Sequence, residues 1–242
     1  MRWVEKDDVK RFWEQEACGE RYGAAQDKVR YELEPEILAF ADFESAKGKR
    51  VLEIGVGMGS DFVRWVRGGA IATGIDLTAR AVALTQRRVL DEGLEAEVRV
   101  ADAEALPFGD ETFDIVYSWG VLHHTPHPAQ ALAEAQRVLA PGGQLKVMLY
   151  HRRSWVALAA WARFGLLRAR PLTTLKKAVA QIESPGTQAF TVEEVRTILT
   201  RMKELSARPV LTRWDRRSLP FVSWLAGDRF GWFLLIEGRK LD

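Results

Sequence analysis

A short apolar run, Val51-Leu-Glu-Ile, leads straight into three alternating glycines, Gly55-Val-Gly57-Met-Gly59, and then into Ser60-Asp61 and a helical pattern. A buried strand that ends in a turn lacking Cβ atoms lets a ligand approach the backbone. A helix starting just beyond such a turn aims its unpaired N–H groups at the same place. The same rhythm continues downstream. Strands are expected at 50–55, 70–75, 96–100, 113–118 and 144–150, separated by helices at 61–67, 78–92 and 128–139. Short apolar strands alternating with helices predict an α/β fold, a parallel sheet covered by helices on both faces.

The flanks read differently. Residues 1–45 are expected to form a helical lid, with one helix near 9–16, a break at Gly19 and Gly23, and a second helix at 27–43 in which Pro35 marks a start or a kink. After Tyr150 the strand rhythm stops. An apolar helical segment at 154–167 precedes Arg168-Ala-Arg-Pro171, a basic helix at 175–182 and a turn at Ser184-Pro185-Gly186. Thr191-Val-Glu-Glu194 has the spacing of a capping box. We read 46–150 as a ligand-binding core and 151–190 as a helical insertion over its mouth. Residues 191–242 then supply a helix and two strands, at 207–214 and 230–238, that give the sheet an antiparallel edge. The 242 residues suit one such domain.

Composition narrows the class. The single cysteine, Cys18, excludes an internal disulfide framework. No run of about 18 apolar residues offers a spanning helix, and the first residues lack the apolar core of a secretory signal. A protein of the reducing cytoplasm is expected. The net charge of +2 conceals a polarity, −7 over residues 1–150 and +9 over 151–217. The basic block fits a surface for an anionic substrate, nucleic acid or lipid headgroups, or simply a solvated helical face.

Chemistry concentrates at the expected strand ends. The glycines fall as G-x-G-x-G, with Ser60 where a dinucleotide fingerprint would need its third glycine. Glu53 stands two residues before Gly55, where a carboxylate would repel a pyrophosphate but attract a cationic amino-acid group. The pair favours a ligand carrying an ammonium and a sulfonium. Asp76 ends the second strand and can accept both hydroxyls of a ribose, or else brace the helix that begins near Thr78. Asp102, after the third strand, can accept from an exocyclic amine. His123 and His124 follow the fourth strand, and Arg137 to Gly143 enters the fifth by a Pro-Gly-Gly turn.

In this order, VLEIGVGMG, GIDL, ADAEALPF, FDIVYSWGVLHH and RVLAPGG resemble class I S-adenosylmethionine-dependent methyltransferases, and most of all the methyltransferase type 11 branch typified by ubiquinone and menaquinone biosynthesis. The stretches cover roughly residues 48–150. The resemblance implies a Rossmann-like, doubly wound, seven-stranded sheet in the order 3-2-1-4-5-7-6 with strand 7 antiparallel. It implies S-adenosyl-L-methionine as cofactor and S-adenosyl-L-homocysteine as product. By the same carry-over Glu53, Gly55, Gly57 and Gly59 surround the methionine portion, Asp76 and Leu77 the ribose, and Asp102 and Ala103 the adenine. Ser118 and Trp119 lie along the inner side of the cofactor.

Methyl transfer is an in-line displacement in which alignment and exclusion of water do most of the work. A general base is needed only for a hydroxyl or a weak carbon acid. His124, and after it His123, are the candidates, the alternative being that they hold their loop by hydrogen bonds. Tyr22, Tyr150 and Arg152, with Arg153 beside it, are expected to border a small, partly apolar substrate. No metal is expected, since the loop at 119–126 carries no carboxylate. RNA or protein methylation, and a cofactor-binding pseudoenzyme that supports a partner, are the alternatives. No nucleic acid partner is expected, while the apolar and basic stretch at 154–170 suits weak contact with a membrane surface. Oligomeric state is not readable from the sequence.

Overall fold

A computed structural model describes residues 4–169, 172–184, 186–218 and 227–241. Arg170, Pro171 and Pro185, which carry parts of the expected basic turn and of the turn before Gly186, lie outside the described residues. Seven strands form one sheet: β1 (Arg50–Ile54), β2 (Ile71–Asp76), β3 (Glu97–Val100), β4 (Phe113–Trp119), β5 (Leu139–Tyr150), β6 (Met202–Val210) and β7 (Phe233–Lys240). Their order is β3-β2-β1-β4-β5-β7-β6. The first five pair in parallel, and β7 runs antiparallel to both β5 and β6. The expected order and the antiparallel strand 7 are both present.

Side-chain alternation along the strands builds two cores. Val51 of β1 and Ile115 and Tyr117 of β4 face one layer with Ile37, Phe40, Phe62 and Trp65. These come from α3 (Glu36–Ala41) and α4 (Ser60–Arg67). Leu52, Ile54 and Val116 face the other layer, with Leu132 and Val195 from α6 (Pro128–Val138) and α9 (Val192–Ile198). Glu53 shares the face of Val51, which places a carboxylate at the sheet's edge on the first layer.

The N-terminal helices are α1 (Lys6–Gln15) and α2 (Gln26–Leu33), joined by a 3-10 turn over Glu20–Ala25. The helix expected at 27–43 is split at Glu34-Pro35 into α2 and α3, because proline has no N–H to continue the ladder and disfavours helical backbone in the residue before it. Lys146 of β5 reaches from beneath and donates from Nζ to the carbonyls of Phe40 and Ala41 at 2.9 and 2.8 Å. That satisfies orphan carbonyls at the end of α3 with a positive charge.

Four boundaries differ from expectation. The strand expected from residue 144 begins at Leu139, and Pro141-Gly142-Gly143 is an excursion inside it: Phe113 pairs with Leu139 but Ile115 with Gln144. The helix expected at 154–167 is α7 (Trp155–Phe164), stopped at Gly165, and the next is only α8 (Leu175–Val179). Residues 211–214 leave the sheet. Thr212 and Asp215 close a capping turn, with Asp215 Oδ2 accepting the N–H groups of Thr212 and Trp232 at 2.8 and 2.9 Å. Trp214 therefore belongs to α10 (Arg213–Ser218), and the sixth strand lies earlier, at 202–210. α5 (Ala79–Asp91) has the expected cap, Thr78 accepting from the Ala81 N–H at 3.3 Å.

Candidate active site

The carboxyl ends of β1, β2, β3 and β4 open into one cavity, as the crossover geometry of such sheets predicts. Its lining includes Glu53, Gly55, Gly57, Asp76, Asp102 and Trp119. Leu77 and Ala103 also line it. Gly55 holds φ +85° while donating to the Ile75 carbonyl at 2.7 Å, and a Cβ there would sit 2.2 Å from Val121 Cγ2. Both the handedness and the space demand glycine. Gly57 holds φ +52°, and a Cβ there would meet only Cys18, its carbonyl oxygen at 3.8 Å and its Cβ at 3.9 Å, so the backbone stays open to a ligand. Gly59 lies behind the cavity wall as the cap of α4.

Glu53 is 3% exposed, and its Oε2 has no partner among the described residues. Burial, and then the charge of Asp61, push its carboxyl well above the usual range, with the Arg30 guanidinium opposing. Asp76 is braced: Oδ1 accepts the N–H and hydroxyl of Thr78 at 3.0 and 2.8 Å, and Oδ2 accepts the Gly57 N–H at 3.2 Å. Both roles weighed for this residue are thus geometrically open, since Thr78 is the helix cap and the carboxylate also faces the cavity. Burial still raises the Asp76 carboxyl above its ordinary value. Asp102 accepts the Glu104 N–H at 2.9 Å and is bonded to Lys6 of α1, which also lies 2.8 Å from Glu104.

A buried carboxylate with one oxygen lacking a donor among the described residues, beside an open glycine turn, suits a cationic group. The site therefore fits the amino-acid portion of S-adenosylmethionine, and Asp76 and Asp102 line the same cavity.

The far end of this cavity is formed by His124, Tyr150 and Glu183. Tyr150 donates to Glu183 Oε2 at 2.7 Å, and His124 Nε2 stands 3.6 Å from the same oxygen. Thr187 spends its only hydroxyl proton on the Ser184 carbonyl at 2.8 Å, so toward its neighbours it can only accept. The Ser184 hydroxyl is 2.8 Å from His124 Nδ1. The Thr187 hydroxyl oxygen is 3.1 Å from the same nitrogen, so Ser184 and Thr187 together hold the ring at Nδ1 while Nε2 faces Glu183. Burial lowers His124 to about 4, which keeps the ring neutral.

Beyond these residues lies a second cavity of about 570 Å³. Cys18, Gln26, Arg30, Glu34, Tyr150 and Glu183 line both cavities and mark their junction. Val156, Ile182, Trp232 and Phe233 give the second an apolar wall, and Arg163 and Arg217 add charge.

Some expected site residues are elsewhere. His123 is fully buried, sandwiched between the rings of His124 and Tyr150 at 4.2 and 3.9 Å, and does not line the first cavity. Arg152 lines neither cavity: its guanidinium donates to the Ala189 carbonyl at 2.7 and 3.0 Å and to Glu194 at 2.8 Å. A clamp already closed on the protein's own groups cannot hold a substrate, which corrects the expectation for it. Arg153 faces Glu193 at 3.5 Å. Ser118 lies under the floor, donating to the Ile54 carbonyl at 3.0 Å. Tyr22 borders the second cavity, not the first. Lys6, Arg30, Glu34 and Glu183 were missed. None stands in a periodic or glycine-rich context that would single it out. Among the described residues no group of three or more His, Cys, Asp or Glu is placed to hold a metal ion, and no helix is long and apolar enough to cross a membrane.

Residues 52–147 match the family model of the methyltransferase domain. The chain is 32% identical over 142 residues to a phosphatidylethanolamine N-methyltransferase of Cereibacter sphaeroides, covering 58% of this chain and 63% of that protein. It is 32% identical over 146 residues to a ubiquinone biosynthesis O-methyltransferase of Hahella chejuensis, covering 59% and 60%. The chain thus spans less than two thirds of the length of these relatives. A solved S-adenosylmethionine-dependent methyltransferase from Thermotoga maritima shares the fold over 96% of this chain and 99% of its own, with a TM-score of 0.56 at 22% identity. Together, the sheet order, the glycine turn and this match identify residues 52–147 as a methyltransferase domain of the type 11 family, set in a chain that is similar to class I S-adenosylmethionine-dependent methyltransferases.

Proposed function

We propose that this chain transfers a methyl group from S-adenosyl-L-methionine, by in-line displacement, to a small and partly apolar molecule, releasing S-adenosyl-L-homocysteine. The observation that carries the reading is the buried carboxylate of Glu53, with Oε2 unpartnered among the described residues, in one cavity with the strand-end carboxylates Asp76 and Asp102. When bound, the cofactor supplies a methyl carbon made electrophilic by a sulfonium. Glu53 holds its ammonium, Gly55 and Gly57 give backbone access, Asp76 with Leu77 holds the ribose, and Asp102 with Ala103 meets the adenine. Trp119, whose indole N–H donates to Glu34 at 2.7 Å, closes the inner side. We read the chain as one domain in which 1–45 is a lid, 46–150 the cofactor core and 151–190 a substrate cap. The apolar wall of the second cavity, and relatives named for phosphatidylethanolamine and ubiquinone, support an acceptor with apolar surface. Titration calorimetry with S-adenosylmethionine, S-adenosylhomocysteine and NAD tests the cofactor. Binding of NAD with neither sulfur compound bound would overturn it.

Contact with a membrane surface is a second element of the reading. Leu166, Leu167 and Leu172 of the cap are 55, 80 and 93% exposed, close in sequence to Arg163 and Arg168. Apolar side chains flanked by cations suit an anionic bilayer. Co-sedimentation with vesicles of anionic phospholipid that weakens as salt rises is expected, and no binding at low salt would remove it. The exposed Cys18 thiol fits a reducing compartment, the cytoplasm.

A further inference from the structure

We propose that the second cavity is the acceptor site and that Glu183, at its junction with the first, is the base that takes the proton from a hydroxyl or a neutral amine as it is methylated. The inference rests on the first cavity being the cofactor site. It departs from the expectation that a histidine does this work.

Position is the first argument. Of the side chains shared by the two cavities, Arg30 is committed to Asp61, and Glu34 accepts from Trp119 and stands 4.0 Å from the Arg30 guanidinium, a cation that Glu183 lacks among the described residues. Cys18 is the only thiol, and Gln26 is an amide with no basic lone pair at nitrogen. Glu183 is half-exposed, and its two fixed neighbours both address one oxygen, Oε2. Oε1 has no hydrogen-bond donor among the described residues. A carboxylate held by one oxygen and open at the other is oriented to receive a proton.

The neighbouring groups are unsuited to the role. His124 is held at Nδ1 by Ser184 and Thr187, and burial lowers it to about 4, which makes its ring a weak proton acceptor. Tyr150 keeps its proton, because burial and the adjacent Glu183 carboxylate raise it well above the ordinary phenol value. It serves as a donor that fixes Glu183. The rings around it, His123 at 3.9 Å and Trp232 at 4.2 Å, leave it little freedom to swing.

The balance is simple. The acceptor's lone pair forms the new bond to the methyl carbon, the carbon–sulfur bond gives its electron pair to sulfur, and the acceptor proton moves to Glu183. A sulfonium and a carboxylate become a neutral thioether and a carboxylic acid, so two opposite charges are discharged together. A nucleophile without a proton to lose would gain nothing from Glu183.

The test uses the whole chain with 4-heptylphenol and 4-heptylaniline as probes. Calorimetry with S-adenosylhomocysteine comes first; absence of binding overturns the cofactor reading and this inference with it. With that complex formed, quenching of tryptophan fluorescence measures probe binding, since Trp214 and Trp232 line the second cavity. Glu183→Gln keeps the size and an acceptor for Tyr150. We expect it to bind S-adenosylhomocysteine and the probes as the parent does while kcat falls roughly 100-fold or more, with the remaining rate rising steadily with pH. A parent protein that binds S-adenosylhomocysteine but neither binds nor methylates either probe overturns the inference alone. So does a Glu183→Gln variant whose kcat is unchanged, or one that loses probe affinity while keeping kcat at saturation.

Discussion

The Arg30 guanidinium grips the Asp61 carboxylate with two hydrogen bonds, Nε at 3.1 Å and Nη2 at 2.6 Å, and so ties the N-terminal helices to the first turn of α4 just past the glycines. Tyr31 and Tyr117 donate to the same carboxylate at 3.0 and 2.8 Å. Asp61 is only 2% exposed. Its acceptor directions are therefore filled from two other elements, three by α2 and one by β4. Removing the carboxylate leaves a largely buried guanidinium uncompensated. Asp61→Ala should lose about 3–5 kcal/mol of unfolding free energy in urea, whereas an exposed pair such as Arg87 and Asp91 should change it by less than about 1 kcal/mol. Similar losses at the two sites would show that the buried network is not a structural anchor.

Glu53 couples ligand binding to protons. Its carboxyl is raised in the ligand-free protein, so its favourable contribution to stability is present below the unfolded value and is lost as pH rises through the folded one. An ammonium beside it restores the ionised form. Binding of S-adenosylhomocysteine should therefore release protons, and its stabilisation of the fold should grow with pH. Calorimetry in buffers of different ionisation enthalpy measures the release. Glu53→Gln should abolish it and weaken binding roughly tenfold or more. Heats independent of buffer in the parent would place the ammonium elsewhere.

His124 has the opposite sign of dependence on acid. Its folded value, about 4, lies below the ordinary 6.5 because burial disfavours the charged ring. The protein binds fewer protons here than its unfolded chain does, so stability is complete above the ordinary value and falls as pH drops toward 4. The loss should reach about 3 kcal/mol at the acid end. His124→Gln should flatten that part of the Tm-against-pH curve; an unchanged slope would assign the acid sensitivity to other groups.

Asp76→Ala should weaken S-adenosylmethionine binding by roughly 1–3 kcal/mol, the scale of hydrogen bonds to a charged group. The same change removes the acceptor for Thr78 and Gly57, so the variant Thr78→Val is the control for loss of the brace alone. If both variants lose equal affinity, Asp76 acts through the loop and not on the ribose.

The sheet and the glycine turn were legible because local chemistry determines them. Strand-length apolar runs, a carboxylate before the turn and another about twenty residues on are all readable along the chain. What the sequence hid is made by distance. Lys6 meets Asp102 across 96 residues, and Trp119 meets Glu34 across 85. Glu183 stands in a cap whose helices are short and whose fold is set by what it packs against, so no periodicity marks it. Arg152 misled because a cation at the end of a strand looks available until Glu194 and Ala189 are seen to occupy it. Of the histidine pair, His124 lines the first cavity and His123 lies behind it, a difference set by packing against Tyr150 that adjacent positions in the sequence do not reveal.

Helix α1 touches the mouth at two places, Lys6 at Asp102 and Trp13 against the His124 ring at 5.5 Å, which lie about 10 Å apart along its axis. A rigid rod spanning the adenine end and the acceptor end cannot lift from one without disturbing the other. Affinity tags or fusion partners grafted ahead of it would thus act as handles on the gate itself, altering donor and acceptor affinities in step. Purification handles belong after β7, whose last residues pair beside Gln144, away from the Tyr150 end of β5 that borders the site.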